Sequence, residues 1–180
     1  MNLRLGAAAA AAFIVAALPA AASPAFDGFR GVCGDSDADF AAVKAAADAG
    51  HWVATEVQPS TMEGVEVSES LARTVAVGGA KLTVFAWHGT KGAVQVSACT
   101  VRVSPAKQAD MAADAKGWVG FAPQAADAAK ASWQFTETAG ARKPVQKSDF
   151  TAAAAAGGLN FFTVKADGPE IILDLLKIKS

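Results

Sequence analysis

The stretch that decides the fold runs from residue 71 to residue 87 and reads LARTVAVGGAKLTVFAW. Two runs of apolar and β-branched residues flank Gly78-Gly79, and a glycine pair in this setting is typical of a two-residue hairpin turn. A turn of fixed length sets the register of the two strands. The expected opposed pairs are Val77 with Ala80, Val75 with Leu82, and Leu71 with Ala86. Their face is apolar except at Arg73, so we expect it to cover the core.

A third strand is expected from Ala93 to Val103, after a loop formed by His88-Gly-Thr-Lys-Gly92. Pairing Trp87 with Ala93 extends the apolar face of the hairpin along this strand. The residues that this register places on that face are Val94, Val96 and Ala98. Cys99 then points to the opposite face, where a disulfide would hold the N-terminal arm of the chain.

Two helices are expected on either side of these strands. Asp35-Ser36-Asp37 offers capping oxygens before an apolar pattern of helical period, which predicts a helix from Asp37 to Ala49. Ser104 is a suitable N-cap, and Pro105 a suitable first residue, for a second helix that ends near Gly120.

The C-terminal third of the chain is expected to supply three more strands. Trp133 and Phe135 alternate with polar residues in a short strand, and residues 152–158 form either a short helix or a flexible link. A final hairpin turns at Asp167-Gly168. Its strands are Leu159–Lys165 and Glu170–Lys179, with Lys165 opposite Glu170 and Val164 opposite Ile171. Both faces of this hairpin are apolar, so it is either central in the sheet or meets a partner through one face.

These elements predict one small α+β domain over residues 23–180. The expected architecture is a mostly antiparallel sheet of about six strands with two helices, in the order α-βββ-α-βββ. The length suits a single domain, because a chain of roughly 150 residues buries about two-thirds of its unfolded surface.

Residues 1–22 have the three zones of a cleavable secretory signal peptide. Arg4 supplies positive charge, residues 5–18 form an uncharged apolar run, and Ala20-Ala21-Ala22 gives small residues at positions −3 and −1. A retained membrane anchor is the alternative, but the run is largely alanine, whereas a span needs about 20 strongly apolar residues. We therefore expect cleavage after Ala22, no stable membrane span afterwards, and a periplasmic or secreted product.

Cys33 and Cys99 are the two cysteines of the chain. In an exported protein such a pair predicts one disulfide, which here would close a long loop and contribute about 4 kcal/mol. A redox pair would favour Cys-x-x-Cys, and a zinc site would need more ligands. The segment from Ser23 to Gly34 is expected to be an irregular arm that Cys33 holds in place.

The charge of the chain is balanced, with 16 lysine and arginine residues against 17 aspartate and glutamate residues and a formal net charge of −1. No block of basic residues occurs in the sequence. Nucleic acid and anionic membranes are therefore not expected as partners.

One short motif resembles a catalytic signature. Ser104-Pro-Ala-Lys107 matches the Ser-x-x-Lys pattern of serine penicillin-recognising enzymes, but the companion motifs do not follow in order and the chain is too short for that fold. Ser104 is therefore interpreted as a helix cap. His51 follows the first helix, where a histidine can satisfy the last carbonyls. No catalytic, cofactor or metal site is predicted.

The candidate ligand contacts are Trp87, His88 and Lys91, which surround the expected glycine-rich loop. A phosphate cradle is not expected there, because the loop joins two strands and does not lead into a helix.

The first functional hypothesis is a non-catalytic binding or interaction domain of an exported bacterial envelope protein, with an envelope protein or a small ligand as its partner. One alternative is a small periplasmic hydrolase whose site combines scattered residues such as Ser104 or His88. The other is a structural assembly subunit that forms a homo-oligomer through the 159–179 hairpin.

Overall fold

A computed structural model of the chain describes residues 22–56 and 63–180. Its helices are α1 (Pro24–Phe29), α2 (Phe40–Ala49), α3 (Gln108–Val119) and α4 (Phe150–Ala155). Its strands are β1 (Val53–Ala54), β2 (Glu66–Val77), β3 (Ala80–Lys91), β4 (Val94–Ser104), β5 (Ala125–Ala126), β6 (Lys130–Thr138), β7 (Ala141–Pro144), β8 (Leu159–Asp167) and β9 (Glu170–Lys179). A π-helical turn, Arg30–Gly34, continues α1, and a 3-10 turn, Lys147–Asp149, precedes α4.

The nine strands in the described residues form one antiparallel sheet in the order β1-β2-β3-β4-β9-β8-β6-β5, with β7 beside β6. The predicted α+β class and mostly antiparallel sheet are confirmed, but two helices and about six strands were too few against the four helices and nine strands described. The extra strands β1 and β5 have 2 residues each, and β7 has 4. Such short, exposed strands carry no alternating apolar pattern, so the sequence has no signal for them.

The first hairpin has the predicted register. Val77 pairs with Ala80, and the pairing continues through Val75 with Leu82 and Leu71 with Ala86. Gly78 and Gly79 make the turn with φ of 58° and 82°. Side chains other than glycine adopt this region rarely, so the turn requires this pair.

The strand that follows this turn is longer than predicted. β3 continues through residues 88–91, where a loop was expected, and the chain turns at Gly92-Ala93. Trp87 consequently pairs with Ala98, and the predicted pairing with Ala93 is wrong. The error is an odd number of positions, so each side chain of β4 lies on the face opposite to the one predicted.

We call the two faces of the sheet the inner face and the outer face. The inner face is covered by α1, α2 and α3, and it carries Leu82, Val84, Cys99, Val101 and Val103. The outer face carries Phe85, Trp87, Val96 and Ala98, and α4 packs on another part of it.

The predicted disulfide between Cys33 and Cys99 is formed. Because Cys99 lies on the inner face, the N-terminal segment packs on that face. The prediction that it packs on the opposite face is wrong. The segment is also helical and not irregular, since Ser23 caps α1 and Pro24 occupies its first turn. Phe29 of α1 stacks on Phe162 of β8 with ring centroids 5.1 Å apart.

The helix α2 begins three residues later than predicted. Asp37 and Ala38 have φ of 53° and 54°, so neither is helical. The cap is Asp39, whose carboxylate accepts a hydrogen bond from the Ala42 amide at 3.0 Å.

The helix α3 also begins later than predicted, at Gln108. Ser104 is the last residue of β4, where it pairs with Lys81, and Lys107 takes the N-cap position. The interpretation of Ser104 as a helix cap is therefore wrong, because the ladder continues to this residue.

The final hairpin is central in the sheet, as one of the two predicted arrangements required. β9 lies between β4 and β8, and β8 lies between β9 and β6. The turn is at Gly168-Pro169, so Lys165 faces Ile172 and Val164 faces Leu173, two positions from the prediction. A shift of two keeps every side chain on its predicted face.

The signal peptide expected at residues 1–22 lies outside the described residues, except for Ala22. No helix among residues 22–56 and 63–180 combines the length and the apolar character needed to cross a bilayer.

Candidate functional site

A cavity of about 480 Å³ opens on the inner face of the sheet, beyond the part that the helices cover. We call it the polar cavity, because charged and hydroxyl side chains dominate its lining. Its floor comes from β2, β3, β4 and β9, and its side comes from the segment that leads into α2. The strand pairings explain how residues from five distant segments meet there.

Four polar residues form a row across the floor of the polar cavity. Glu69 pairs with His88, His88 with Ser97, and Ser97 with Lys177. Directly opposed residues have Cβ atoms about 4.5–5.5 Å apart, so each side chain lies within reach of the next.

His88 is fixed by contacts on two sides. Its Nε2 lies 2.9 Å from Oε2 of Glu69, and its ring centroid lies 5.0 Å from that of Phe40 at the start of α2. Its hydrogen-bond partner Glu69 is 65% exposed at its side chain. The imidazole therefore joins the sheet to α2 while one edge of the pair faces solvent.

A bulge in β2 shapes the rim beside this pair. The register shifts between Val67 and Glu69, and Ser68 at the bulge lines the cavity. Opposite it, Gly89 lies so close to the neighbouring strand that a Cβ would come 2.2 Å from the carbonyl oxygen of Glu66. Only glycine permits this approach of the two backbones.

Lys177 occupies the inner end of the row. Its ammonium contacts the carboxylate of Asp37, and its side chain is only 12% exposed. Burial lowers the pKa of Lys177 to about 8, with the nearby Lys179 cation acting in the same direction. The Asp37 carboxylate acts in the opposite direction, because it stabilises the charged ammonium.

The segment that carries Asp37 is held by the disulfide and by a side-chain cap. Cys33 anchors its start to β4, and the hydroxyl of Ser36 donates to the carbonyls of Val32 and Cys33 at 3.0 and 2.9 Å. Asp37 is therefore placed over Lys177 by residues that are themselves fixed.

Asn160 lies beside Lys177 in the ladder, with 1% of its surface exposed. Among the described residues, neither its Nδ2 nor its Oδ1 has a hydrogen-bond partner. Burial of an amide without partners costs free energy, so this position is an unfavourable feature next to the row.

The charges in the polar cavity are arranged in two groups. Apart from the Asp37–Lys177 pair, Gln95, Ser97 and Lys179 supply donors from β4 and β9, whereas Glu69 of β2 and Asp39 before α2 supply carboxylates. The cavity can therefore offer cationic and anionic partners to one ligand at the same time.

The candidate contacts from the sequence are not brought together. His88 lines the polar cavity, but Trp87 is buried at 3% exposure on the outer face. Lys91 lies at the end of β3, where its Nζ donates to the carbonyl of Glu63 at 3.0 Å. Adjacent positions of a strand point to opposite faces, which separates Trp87 from His88.

The residues that sequence reasoning missed are Asp37, Glu69, Ser97 and Lys177. Glu69 pairs with His88 in the predicted register of the first hairpin, whereas Ser97 and Lys177 join the row through the β3–β4 and β4–β9 registers. Asp37 lies outside the ladder and reaches Lys177 through the segment that the disulfide holds. In the part of the chain that the structure describes, no three or more histidine, cysteine, aspartate or glutamate side chains are grouped to hold a metal ion.

Comparisons with protein-family models, with curated proteins and with solved structures found no match to this chain.

Proposed function

We propose that this chain is a non-catalytic binding domain of an exported bacterial envelope protein, and that the polar cavity receives a small ligand with one negative and one positive group. The observation that carries the proposal is the two-sided charge arrangement in a cavity of about 480 Å³. Ligand sites in proteins commonly have volumes of about 300–1,000 Å³ and a few polar groups that fix orientation.

The anionic group of the ligand is assigned to β9 and β4. Lys179 is exposed and shares the inner face with Lys177 two residues earlier, and Ser97 adds a hydroxyl donor beside them. Because Lys177 is already paired with Asp37, Lys179 is the cation that is open to a ligand.

The cationic group is assigned to the opposite side. Glu69 is largely exposed and Asp39 is exposed, so both carboxylates retain acceptor capacity beyond their present hydrogen bonds. The Phe40 ring, tilted by 31° against the His88 ring, adds an apolar surface to the lining of the cavity.

The disulfide supports placement of the domain in an oxidising compartment, since stable disulfides occur mainly in exported proteins. Export and a periplasmic or secreted location remain part of the proposal.

The test is a calorimetric titration of the oxidised protein with four probes of similar size. These are glycylglycine as the zwitterion, succinate as the dianion, putrescine as the dication, and glucose as the neutral polar molecule. We expect saturable binding of glycylglycine alone, and Lys179→Gln and Glu69→Gln should each weaken it about ten-fold, because hydrogen bonds to charged groups contribute about 1.5–3 kcal/mol.

Lys165→Gln is the matched control, because Lys165 is an exposed lysine on the neighbouring strand β8 and does not line the polar cavity. No heat of binding for any probe at millimolar concentration would contradict the binding role. Equal binding of succinate and glycylglycine would contradict the assigned ligand class.

A hydrolase is the second candidate, favoured by the register that places Glu69, His88 and Ser97 in one row. A carboxylate, an imidazole and a serine hydroxyl placed side by side can form a nucleophilic site, in which the imidazole accepts the proton of the hydroxyl. Among the side-chain hydrogen bonds of the described residues, however, none joins Ser97 to His88, and the bonded nitrogen of His88 faces Glu69. Binding is therefore the better supported function.

A fluorophosphonate probe distinguishes the two functions. Covalent labelling that maps to Ser97 and is lost in Ser97→Ala, but not in Ser104→Ala, would establish the hydrolase and overturn the non-catalytic role. We expect no labelling of either serine.

Homo-oligomer formation through the 159–179 hairpin remains a prediction. Both strands of this hairpin already have neighbours on each side, so association would have to use a face of the sheet and not a free strand edge. Light scattering on the purified protein at micromolar concentration measures the mass directly.

A further inference from the structure

The start of α1 is bound by one carboxylate of α3. The backbone nitrogen of Ser23 donates to Oδ2 of Asp114 at 3.1 Å, and the hydroxyl of Ser23 donates to the same oxygen at 2.7 Å. The Ser23 hydroxyl in turn accepts from the Phe26 amide at 3.3 Å, which is the capping bond of α1. Ser23 and Asp114 are both half-buried, so these bonds are partly shielded from water.

Ser23 also leads into a packed segment, and Ala22 before it is partly buried against the core. Pro24 lies against the β2–β3 turn, where a Cβ on Gly78 would come 2.8 Å from the proline ring. Phe26 and Phe29 follow within the same helix and are 1% and 0% exposed. A cut after Ala25, where Ser23 and Ala25 also give small residues at −3 and −1, would remove both the cap and Pro24.

We propose that the Ala22–Ser23 peptide bond is the maturation site, and that Asp114 is the receptor for the new N-terminus. A leader-processing protease that selects small residues at −1 and −3 would hydrolyse this bond. Water adds across it, so that Ala22 leaves with a carboxylate and the nitrogen of Ser23 becomes an ammonium. The amide–carboxylate hydrogen bond to Asp114 thereby becomes an ion pair between the Ser23 ammonium and the carboxylate.

The physical need for Asp114 follows from the charge that cleavage creates. A cation at the N-terminus of a helix is destabilising, because the helix dipole is positive there. Asp114 lies at hydrogen-bond distance from that cation, and an opposite charge this close stabilises the charged ammonium. Processing therefore ties α1 to α3 more firmly. This inference rests on the proposed export of the chain, and it is independent of any ligand in the polar cavity.

The test uses the full chain, exported and processed by a bacterial host. Intact mass should give a product that begins at Ser23. A second chain carries Gly-Gln inserted between Ala22 and Ser23, so that processing leaves Ser23 with an amide nitrogen and moves the ammonium two residues away. Asp114→Asn is then introduced in both chains, because asparagine can still accept the hydrogen bonds of Ser23.

We expect Asp114→Asn to increase the unfolding equilibrium constant about five-fold more in the protein that begins at Ser23 than in the extended protein. Asp110→Asn, one turn earlier on α3, is the matched control and should change both proteins equally. A mature mass that begins at another residue, or an equal effect of Asp114→Asn in the two chains, would overturn the proposal.

Discussion

Reduction of the Cys33–Cys99 disulfide should destabilise the protein strongly and locally. The bridge closes a separation of 66 residues, for which the chain-entropy relation gives about 4 kcal/mol at 25 °C. Reduction leaves both sulphur atoms on their side chains as thiols, so no side-chain volume is removed. The expected loss is therefore close to the full entropic value.

The assay is urea unfolding of the oxidised and the reduced protein, followed by tryptophan fluorescence. With a slope of about 2 kcal/mol per molar urea, a loss of about 4 kcal/mol lowers the midpoint by roughly 2 M. Hydrogen exchange then locates the effect. Amides of residues 24–39 should show the largest increase in exchange rate on reduction, because Cys33 holds this segment onto β4, whereas amides of β8 and β9 should exchange faster only by the factor that the global loss of stability gives.

A midpoint shift below about 0.5 M would refute this reasoning, since it would mean that packing of the N-terminal segment makes the bridge redundant. An equal increase in exchange rate for residues 24–39 and for β8 and β9 would refute the local part of the argument. The double variant Cys33→Ala with Cys99→Ala provides a check that does not depend on the reductant, and it should be at least as unstable as the reduced protein because both cysteines are 0% exposed.

Two further predictions concern single residues. Burial raises the pKa of Asp174 on the outer face, against the opposing hydrogen bond from Thr100 at 2.7 Å. The fold therefore favours the protonated carboxyl, and this contribution to stability is present below the unfolded pKa of about 3.9 and lost as pH rises through the folded pKa. Asp174→Asn should remove that pH dependence and leave the free energy of unfolding at pH 7 equal or higher. Thermal unfolding from pH 3 to 8 measures both effects. A clearly lower free energy of unfolding at pH 7 would contradict the prediction. Gly89→Ala should lower the free energy of unfolding by about 1–3 kcal/mol, because the added Cβ would lie 2.2 Å from a backbone oxygen. Gly117→Ala on α3 should leave this free energy unchanged or raise it, because the added Cβ has no neighbour within 4 Å. Equal effects of the two variants in urea unfolding would count against the close approach at Gly89.

The sequence was sufficient to predict the first hairpin of the sheet, but it was not sufficient to predict how the later strands pair with it. Gly78-Gly79 fixes its hairpin through the conformation of two adjacent residues, and that register was predicted correctly. In the sequence, either Gly89 or the turn at Gly92-Ala93 could mark the end of β3. Choosing the earlier glycine moved β4 by an odd number of positions and turned Cys99 to the wrong face.

The last hairpin illustrates the opposite outcome. Its turn was also misplaced, yet Phe162, Leu173 and Leu175 were assigned to one face correctly because the error was two positions. Face assignments thus depend on the parity of a register error more than on its size.

The polar cavity was beyond prediction for a different reason. Asp37 and Lys177 are distant in sequence and meet because a disulfide fixes one segment and the β4–β9 pairing fixes the other. His88 was identified as a candidate from its place at the expected glycine-rich loop, and its pairing with Glu69 follows from the register of the first hairpin. Its pairing with Ser97 was missed because the β3–β4 register was wrong. Long-range pairing, and not local preference, assembles this site.

The position of β9 has a consequence for the order in which the molecule can form. β9 follows the other described strands along the chain, yet it is the strand that joins β4 on one side to β8 on the other. Until residues 170–179 are available, the earlier strands can form only two separate sheets, β1 to β4 and β5 to β8, with no hydrogen bonds between them. Synthesis from the N-terminus therefore delays closure of the sheet until this strand has emerged, and a chain without it would expose two unpaired strand edges that are prone to aggregate.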